Sequence, residues 1–205
     1  MTSWRHIAVE GPIGVGKTTL ARRLAQHLDA DLVLERPDEN PFLQRFYADM
    51  PGYAFQTQLF FLFQRARQAG ALAQTGLFSR PVVSDYLFAK DALFAKLTLS
   101  DDEHRLYLQM YAQLAHDMSE PDLVIWLQAA PATLLKRVRA RGLAIEQPID
   151  EPYLERLCEA YVEHFRGHAG APVLAVDTEE FNPARSNADL DVLLQQVRAA
   201  LAAPR

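Results

Sequence analysis

The sequence predicts a three-layer α/β fold in which a five-stranded parallel sheet is covered by helices on both faces. Three observations lead there. Strand-like and helix-like apolar runs alternate along the whole chain. A glycine-rich turn joins the first run of each kind, and the 205 residues hold no repeat, low-complexity tract or polar linker before the tail. With 49% hydrophobic and 23% charged residues the chain can bury one full core, so a single domain over 1–205 is expected.

The elements follow in order. His6 to Glu10 reads as the first strand, and a helix from Lys17 to Leu28 follows the glycine-rich turn. Asp31 to Glu35 is the second strand. A short helix runs from after Pro41 to Ala48, and Tyr53 to Gln74 forms one long helix whose aromatic density implies deep burial. Pro81 to Asp85 is a strand, Asp101 to Met118 a helix, and Asp122 to Leu127 a strand. Pro131 opens a helix that ends near Gly142. A helix from Glu151 to Phe165, a strand from Pro172 to Asp177 and a helix from Ala188 to Leu201 complete the series.

Composition narrows the partners. The net charge of −5 comes without a long Lys/Arg run, so neither a nucleic-acid polymer nor a membrane surface is expected, and the substrate should be small. Met1 to Gly11 carries no signal-type apolar run, and the most apolar stretch, Leu59 to Phe63, is far too short for a bilayer, which points to the cytoplasm. The single cysteine, Cys158, excludes an internal disulfide and sits among Leu154, Leu157 and Tyr161 as a core residue would.

Chemistry enters with Gly11-Pro12-Ile13-Gly14-Val15-Gly16-Lys17-Thr18, a complete G-x-x-x-x-G-K-[ST] between a strand and a helix. Glycines let the backbone curl so that successive N–H groups and the helix N-terminus face phosphates. Gly11, Gly14, Val15, Gly16, Lys17, Thr18 and Thr19 form the nucleotide-binding set, with Lys17 reaching the β- and γ-phosphates of ATP and Thr18 able to ligate Mg²⁺. A P-loop alone serves hydrolases, switches and kinases alike, so the acceptor side must decide.

Four further segments carry a resemblance: Leu34-Glu35-Arg36-Pro37 with Asn40-Pro41-Phe42-Leu43; Phe46-Tyr47 through Gln58 to Arg65; Val82-Val83-Ser84-Asp85-Tyr86-Leu87; and Pro131 to Leu154. In these, and over nearly its whole length, the chain resembles the deoxynucleoside kinases, which implies a three-layer P-loop kinase fold and transfer of the ATP γ-phosphoryl group to a deoxynucleoside 5′-hydroxyl. The resemblance implies Glu35 as general base and Asp85 as a second holder of Mg²⁺ beside Thr18. It implies Gln58, Arg65 and Asp91 as the edge that reads the base, with Gln56 a rival for Gln58 and Phe94 a ring to stack on it. Tyr47 and Glu146 would hold the sugar 3′-hydroxyl. Arg137 and Arg141, one helical turn apart in a lid of about 137–149, would stabilise the moving phosphoryl charge, whereas Arg139 reads as a solvated residue.

The chain departs from the family in two places. Tyr86 stands where the relatives have an arginine after the acid, with Lys90 or Arg36 as stand-ins, and Leu143 replaces a third lid arginine. The Asn-Pro-Phe segment resembles the bacterial purine-specific members, so deoxyadenosine or deoxyguanosine is the expected acceptor, with deoxycytidine also open, and the family's pairing through long helices implies a homodimer. Two other readings stay open: a nucleoside-monophosphate kinase of the thymidylate type, and a non-catalytic nucleotide-binding module.

Overall fold

Strands that are apolar on both sides demand cover on both faces, which is how a parallel sheet is normally buried. A computed structural model describes residues 4–74, 80–115 and 119–202. Five strands, β1 (His6–Glu10), β2 (Asp31–Val33), β3 (Val82–Ser84), β4 (Leu123–Gln128) and β5 (Val173–Asp177), form one sheet in the order β2-β3-β1-β4-β5. All neighbours are parallel, with Ile7 of β1 opposite Val83 on one side and Leu123 on the other. These residues, with Val9, Val124 and Ile125, are fully buried in the main core.

The helices are α1 (Lys17–Leu28), α2 (Leu43–Ala48), α3 (Met50–Gln74), α4 (Lys90–Thr98), α5 (Asp101–Ala115), α6 (Pro131–Arg141), α7 (Glu151–Arg166) and α8 (Asn187–Ala202). From β1 the chain moves to the β2 edge, then returns through β3 to β4 and β5. Right-handed crossovers in opposite directions put α1 on one face and α3 to α7 on the other. The second group is knit together, α4 packing on α3, α5 and α7, and α6 on α7. Parallel strands also bring the carboxyl ends of β1, β2 and β3 to one edge, where the first residues after each strand meet.

Departures from the sequence reading have local causes. β2 stops at Val33 because the Leu34 carbonyl accepts from the Gln68 side chain and the Glu35 amide donates to Asp85, so no ladder bonds remain. β3 likewise ends one residue before Asp85. The long helix starts at Met50 rather than Tyr53: Pro51 needs no donor in a first turn, and Asp49 accepts from the Gly52 amide at 3.2 Å. α4 and two short 3-10 turns, Pro37–Glu39 and Ala144–Glu146, were not foreseen. The expected 116–118 end of the Asp101 helix lies outside the described residues. Among the described residues no helix is long and apolar enough to cross a membrane.

Candidate active site

The turn after β1 holds three glycines at positive φ, Gly11, Gly14 and Gly16, and at the first two a side chain would also collide. Gly11 adopts φ 148° and a Cβ there would lie 2.4 Å from the Leu127 carbonyl oxygen. Gly14 adopts φ 85°, and its Cβ would lie 2.9 Å from the Leu134 carbonyl oxygen. The loop is thereby clamped between β4 and α6, and α1 begins directly behind it at Lys17 with its first amides unpaired inside the helix. Lys17 Nζ donates to the carbonyls of Gly11 at 2.7 Å and Pro12 at 3.1 Å. Burial above all, with Lys90 adding repulsion, lowers its pKa to about 8 against the pull of Glu10, Glu35 and Asp85.

A cavity of about 280 Å³ lies over the loop, lined by Gly14, Val15, Gly16, Lys17, Thr18 and Thr19. Arg137 and Arg141 of α6 and Asn182 and Arg185 from the β5–α8 connection close it. Gly11 is not at its surface; its carbonyl serves Lys17 from behind. Arg137 is oriented by donating to Thr178, 2.8 Å to Oγ1 and 2.7 Å to the carbonyl.

A second cavity of about 390 Å³ shares Gly14, Lys17, Thr18 and Arg141 with the first. At this junction Thr18 Oγ1 donates to Asp85 Oδ2 at 2.5 Å, and Asp85 Oδ1 accepts the Glu35 amide at 2.7 Å. Glu35 is paired with Arg65 and, at 3.2 Å, with Lys90. Burial alone would raise the Glu35 pKa, but Lys90, Arg65 and Lys17 together overcome it and hold the carboxyl at about 2. The loop carrying Glu35 is fastened to α3, since Gln64 donates to the Arg36 carbonyl and Glu39, and Gln68 to the Leu34 carbonyl.

Deeper in, Tyr47, Gln58, Phe61, Arg65, Phe94 and Glu146 line the cavity. Gln58 is buried and donates to Thr98 Oγ1 at 3.4 Å, whereas Gln56 is exposed, so the geometry brings Gln58 and not its rival to the site. Asp91 stands behind Arg65. It is 1% exposed, does not line the cavity and is ion-paired with Arg65, so it holds the arginine from behind instead of meeting a ligand. Arg36 is exposed beside Glu39 and takes no part, while Lys90 does face the cavity.

Tyr86 does not line the cavity; its ring lies 5.7 Å from the Arg65 guanidinium, and that of Phe61 lies 5.1 Å from it. The aromatic stripe splits: Phe61 lines the site, whereas Phe63 is 49% exposed and not in the core. In the lid, Arg141 and Glu146 form a two-pronged pair at 3.0 and 2.5 Å. Arg139 is not merely solvated, because its guanidinium donates to the carbonyls of Gln147 and Ile149, pinning the lid loop.

Sequence reasoning missed Glu10 and Tyr153. Glu10 has no exposure and accepts from the Gly11 and Leu87 amides and the Tyr161 hydroxyl at 2.8, 2.7 and 2.8 Å. Its position as the last residue before the glycine-rich turn was the only available signal. Tyr153 lines the second cavity, and nothing in its helical apolar pattern distinguishes it from core.

A glycine-built phosphate cradle at the end of β1, opening into a second cavity with a carboxylate at the junction, defines a P-loop kinase with a separate acceptor site. The chain belongs to the deoxynucleoside kinase family, whose model matches residues 7–201. It is 38% identical to the deoxyguanosine kinase of Bacillus subtilis over 162 residues, 78% of each chain. It is 33% identical to the deoxyadenosine kinase of Dictyostelium discoideum over 198 residues, covering 95% of this chain and 78% of that one. Deoxyadenosine kinase from M. mycoides with bound dATP shares the fold, with a TM-score of 0.82 at 23% identity over 95% of this chain and 99% of that one.

Proposed function

We propose that this deoxynucleoside kinase moves the γ-phosphoryl group of ATP to the 5′-hydroxyl of a purine deoxynucleoside, deoxyguanosine or deoxyadenosine, with deoxycytidine as a secondary acceptor. One observation carries the reading: the acceptor cavity opens onto the P-loop at Lys17 and Thr18, holds Glu35 at that opening and ends in Gln58 and Arg65. The purine preference is supported by the names of the relatives with 38% and 33% identity, a deoxyguanosine and a deoxyadenosine kinase.

In the reaction the 5′-oxygen bonds to the γ-phosphorus as the bond from that phosphorus to the β,γ-bridging oxygen breaks, and its electron pair leaves with ADP. The hydroxyl proton passes to Glu35. A carboxylate held at about 2 is a weak base, which suits a loose transition state in which it chiefly orients the hydroxyl. Lys17, Arg137 and Arg141 offset the phosphoryl charge, and Gly14 to Thr19 bind the donor phosphates through backbone amides. Tyr47 and Glu146 hold the sugar, Gln58 presents a paired donor and acceptor to the base, and Arg65 is kept in place by Asp91. Phe61 and Phe94 flank the ring. Thr18 and Asp85 offer hard oxygen ligands of the kind Mg²⁺ takes, and the ion, when bound, neutralises phosphate charge.

Arg65 is already committed to Glu35 and Asp91, so among the described residues lining the deep end no other cation stands beside Gln58 for an acceptor's phosphate, which argues against a monophosphate kinase. The protein works as a single-domain, cytoplasmic homodimer. Support for pairing is the exposure of Phe63 on α3 and Leu106 on α5, 49% and 46%.

ATP consumption with Mg²⁺ and each of deoxyguanosine, deoxyadenosine, deoxycytidine, thymidine and dTMP tests the reaction. Turnover should be greatest with a purine deoxynucleoside and lost in Glu35→Gln; turnover with dTMP alone would overturn it. Sedimentation tests the dimer, which Phe63→Glu should dissociate.

A further inference from the structure

Resting on that reading of the site, we infer that Lys90 is a catalytic residue that grips the γ-phosphoryl group as it meets the 5′-oxygen, and that Glu10 is the residue that positions it. Lys90 opens α4, its side chain is 6% exposed, and it lines the acceptor cavity together with Lys17, Thr18 and Glu35. Its ammonium lies 3.2 Å from Glu35 Oε2 and 3.9 Å from Glu10 Oε2. A cation held that close to the base is within reach of whatever the base contacts. Being an ammonium with three donors, it can keep Glu35 and still present a proton to a phosphoryl oxygen.

Tyr86, next to Asp85, packs on Arg65 outside the cavity, so the segment after β3 supplies its cation four residues later. The backbone between them is fixed for this. The Leu87 amide donates to Glu10, Ser84 Oγ donates to the Tyr86 carbonyl at 2.8 Å, and the Lys90 amide donates to the Leu87 carbonyl at 3.1 Å. Glu10 therefore sets both the turn that launches α4 and one side of the ammonium. Its own carboxylate is locked by the Gly11 amide and Tyr161, which links the P-loop to the acceptor-side cation through one buried group.

Lys90 forms and breaks no covalent bond. As the 5′-hydroxyl proton passes to Glu35, that carboxylate loses its charge. The ammonium, still anchored by Glu10, then faces the phosphoryl oxygens as its strongest remaining partner. Charge lost at the base is thus regained at phosphorus, where it lowers the barrier.

The test is steady-state kinetics of the full chain with ATP, Mg²⁺ and deoxyguanosine or deoxyadenosine for Lys90→Met, Lys90→Gln, Lys90→Arg, Glu10→Gln and the Glu10→Gln/Lys90→Met double variant. Loss of the lysine charge should lower kcat by about 10²–10³-fold with KM for ATP changed far less. Lys90→Arg should restore most of kcat. Glu10→Gln should lower kcat about tenfold alone and cause no further loss in the double variant, a non-additivity that a merely structural role does not produce.

Reading Met and Gln variants together keeps the result if one fails to fold. Wild-type turnover with kcat unchanged in both neutral variants overturns the role of Lys90 alone. No turnover by the wild type with any deoxynucleoside overturns it together with the proposed function.

Discussion

The two ends of the site are made of different materials. At the donor end the backbone does the work: Gly11 and Gly14 are placed where a Cβ would collide with carbonyls of β4 and α6, and one short loop forms the floor of the cavity. At the acceptor end side chains from β1, α3, α4 and the loops after β2 and β3 meet as a charge cluster, Glu10, Glu35, Asp85 and Asp91 against Arg65 and Lys90. The first is local in sequence and set by shape. The second is assembled across the fold and set by electrostatics, so that removing one member leaves another buried without its partner.

The sharpest way to break this contrast is Arg65→Leu. It strands Asp91 and weakens the hold on Glu35, so it should destabilise the fold by about 3–5 kcal/mol, read by denaturant unfolding, besides abolishing turnover. A chain as stable as wild type would mean that the acceptor end is not held by charge. Lys17→Met should behave oppositely, lowering kcat/KM by about 10²–10³-fold while unfolding stays near wild type, since the loop is held by its glycines.

The two ends should also fail on opposite sides of neutral pH. Lys17, lowered to about 8, loses its cation as pH rises through that value, so KM for ATP should climb above about pH 8. Glu35 has a folded-state pKa of about 2 against 4.5, so the stability it contributes is complete above 4.5 and is lost as pH falls through about 2. Donor-affinity and unfolding titrations that moved on the same side would remove the distinction. The smallest effect is expected from Arg139→Ala, about 1–2 kcal/mol from the lost lid hydrogen bonds, seen as faster proteolysis near Gln147.

The same contrast explains what could be read from the sequence. The P-loop was legible because its geometry depends on eight consecutive residues, whereas Glu35 and Asp85 were read through the family resemblance, each standing just after a strand that ends at the same sheet edge. Glu10 was not, although it adjoins the loop: its partners Leu87 and Tyr161 are 77 and 151 residues away, and no local pattern marks a strand carboxylate as fully buried. α4 was missed because Ala89 supplies no capping side chain and its apolar residues form no clear stripe. Asp91 was read into the right cluster, and its pairing with Arg65 is a contact that spacing does not contain. Arg139 is exposed as its sequence suggests, and what the sequence did not show is its bonding to carbonyls, which carry no residue signature.

Helix α3 carries a consequence for how this protein can change over time. Gln58 and Arg65 face one cavity because seven residues make nearly two turns, leaving about 20° between them. Gln64 and Gln68 of the same helix grip the loop that bears Glu35. A single residue inserted between Gln58 and Arg65 would rotate everything beyond it by about 100° and carry the base-reading amide out of register with both the guanidinium and the loop. The acceptor pocket can therefore be retuned by exchanging side chains along this rod, but not by lengthening it.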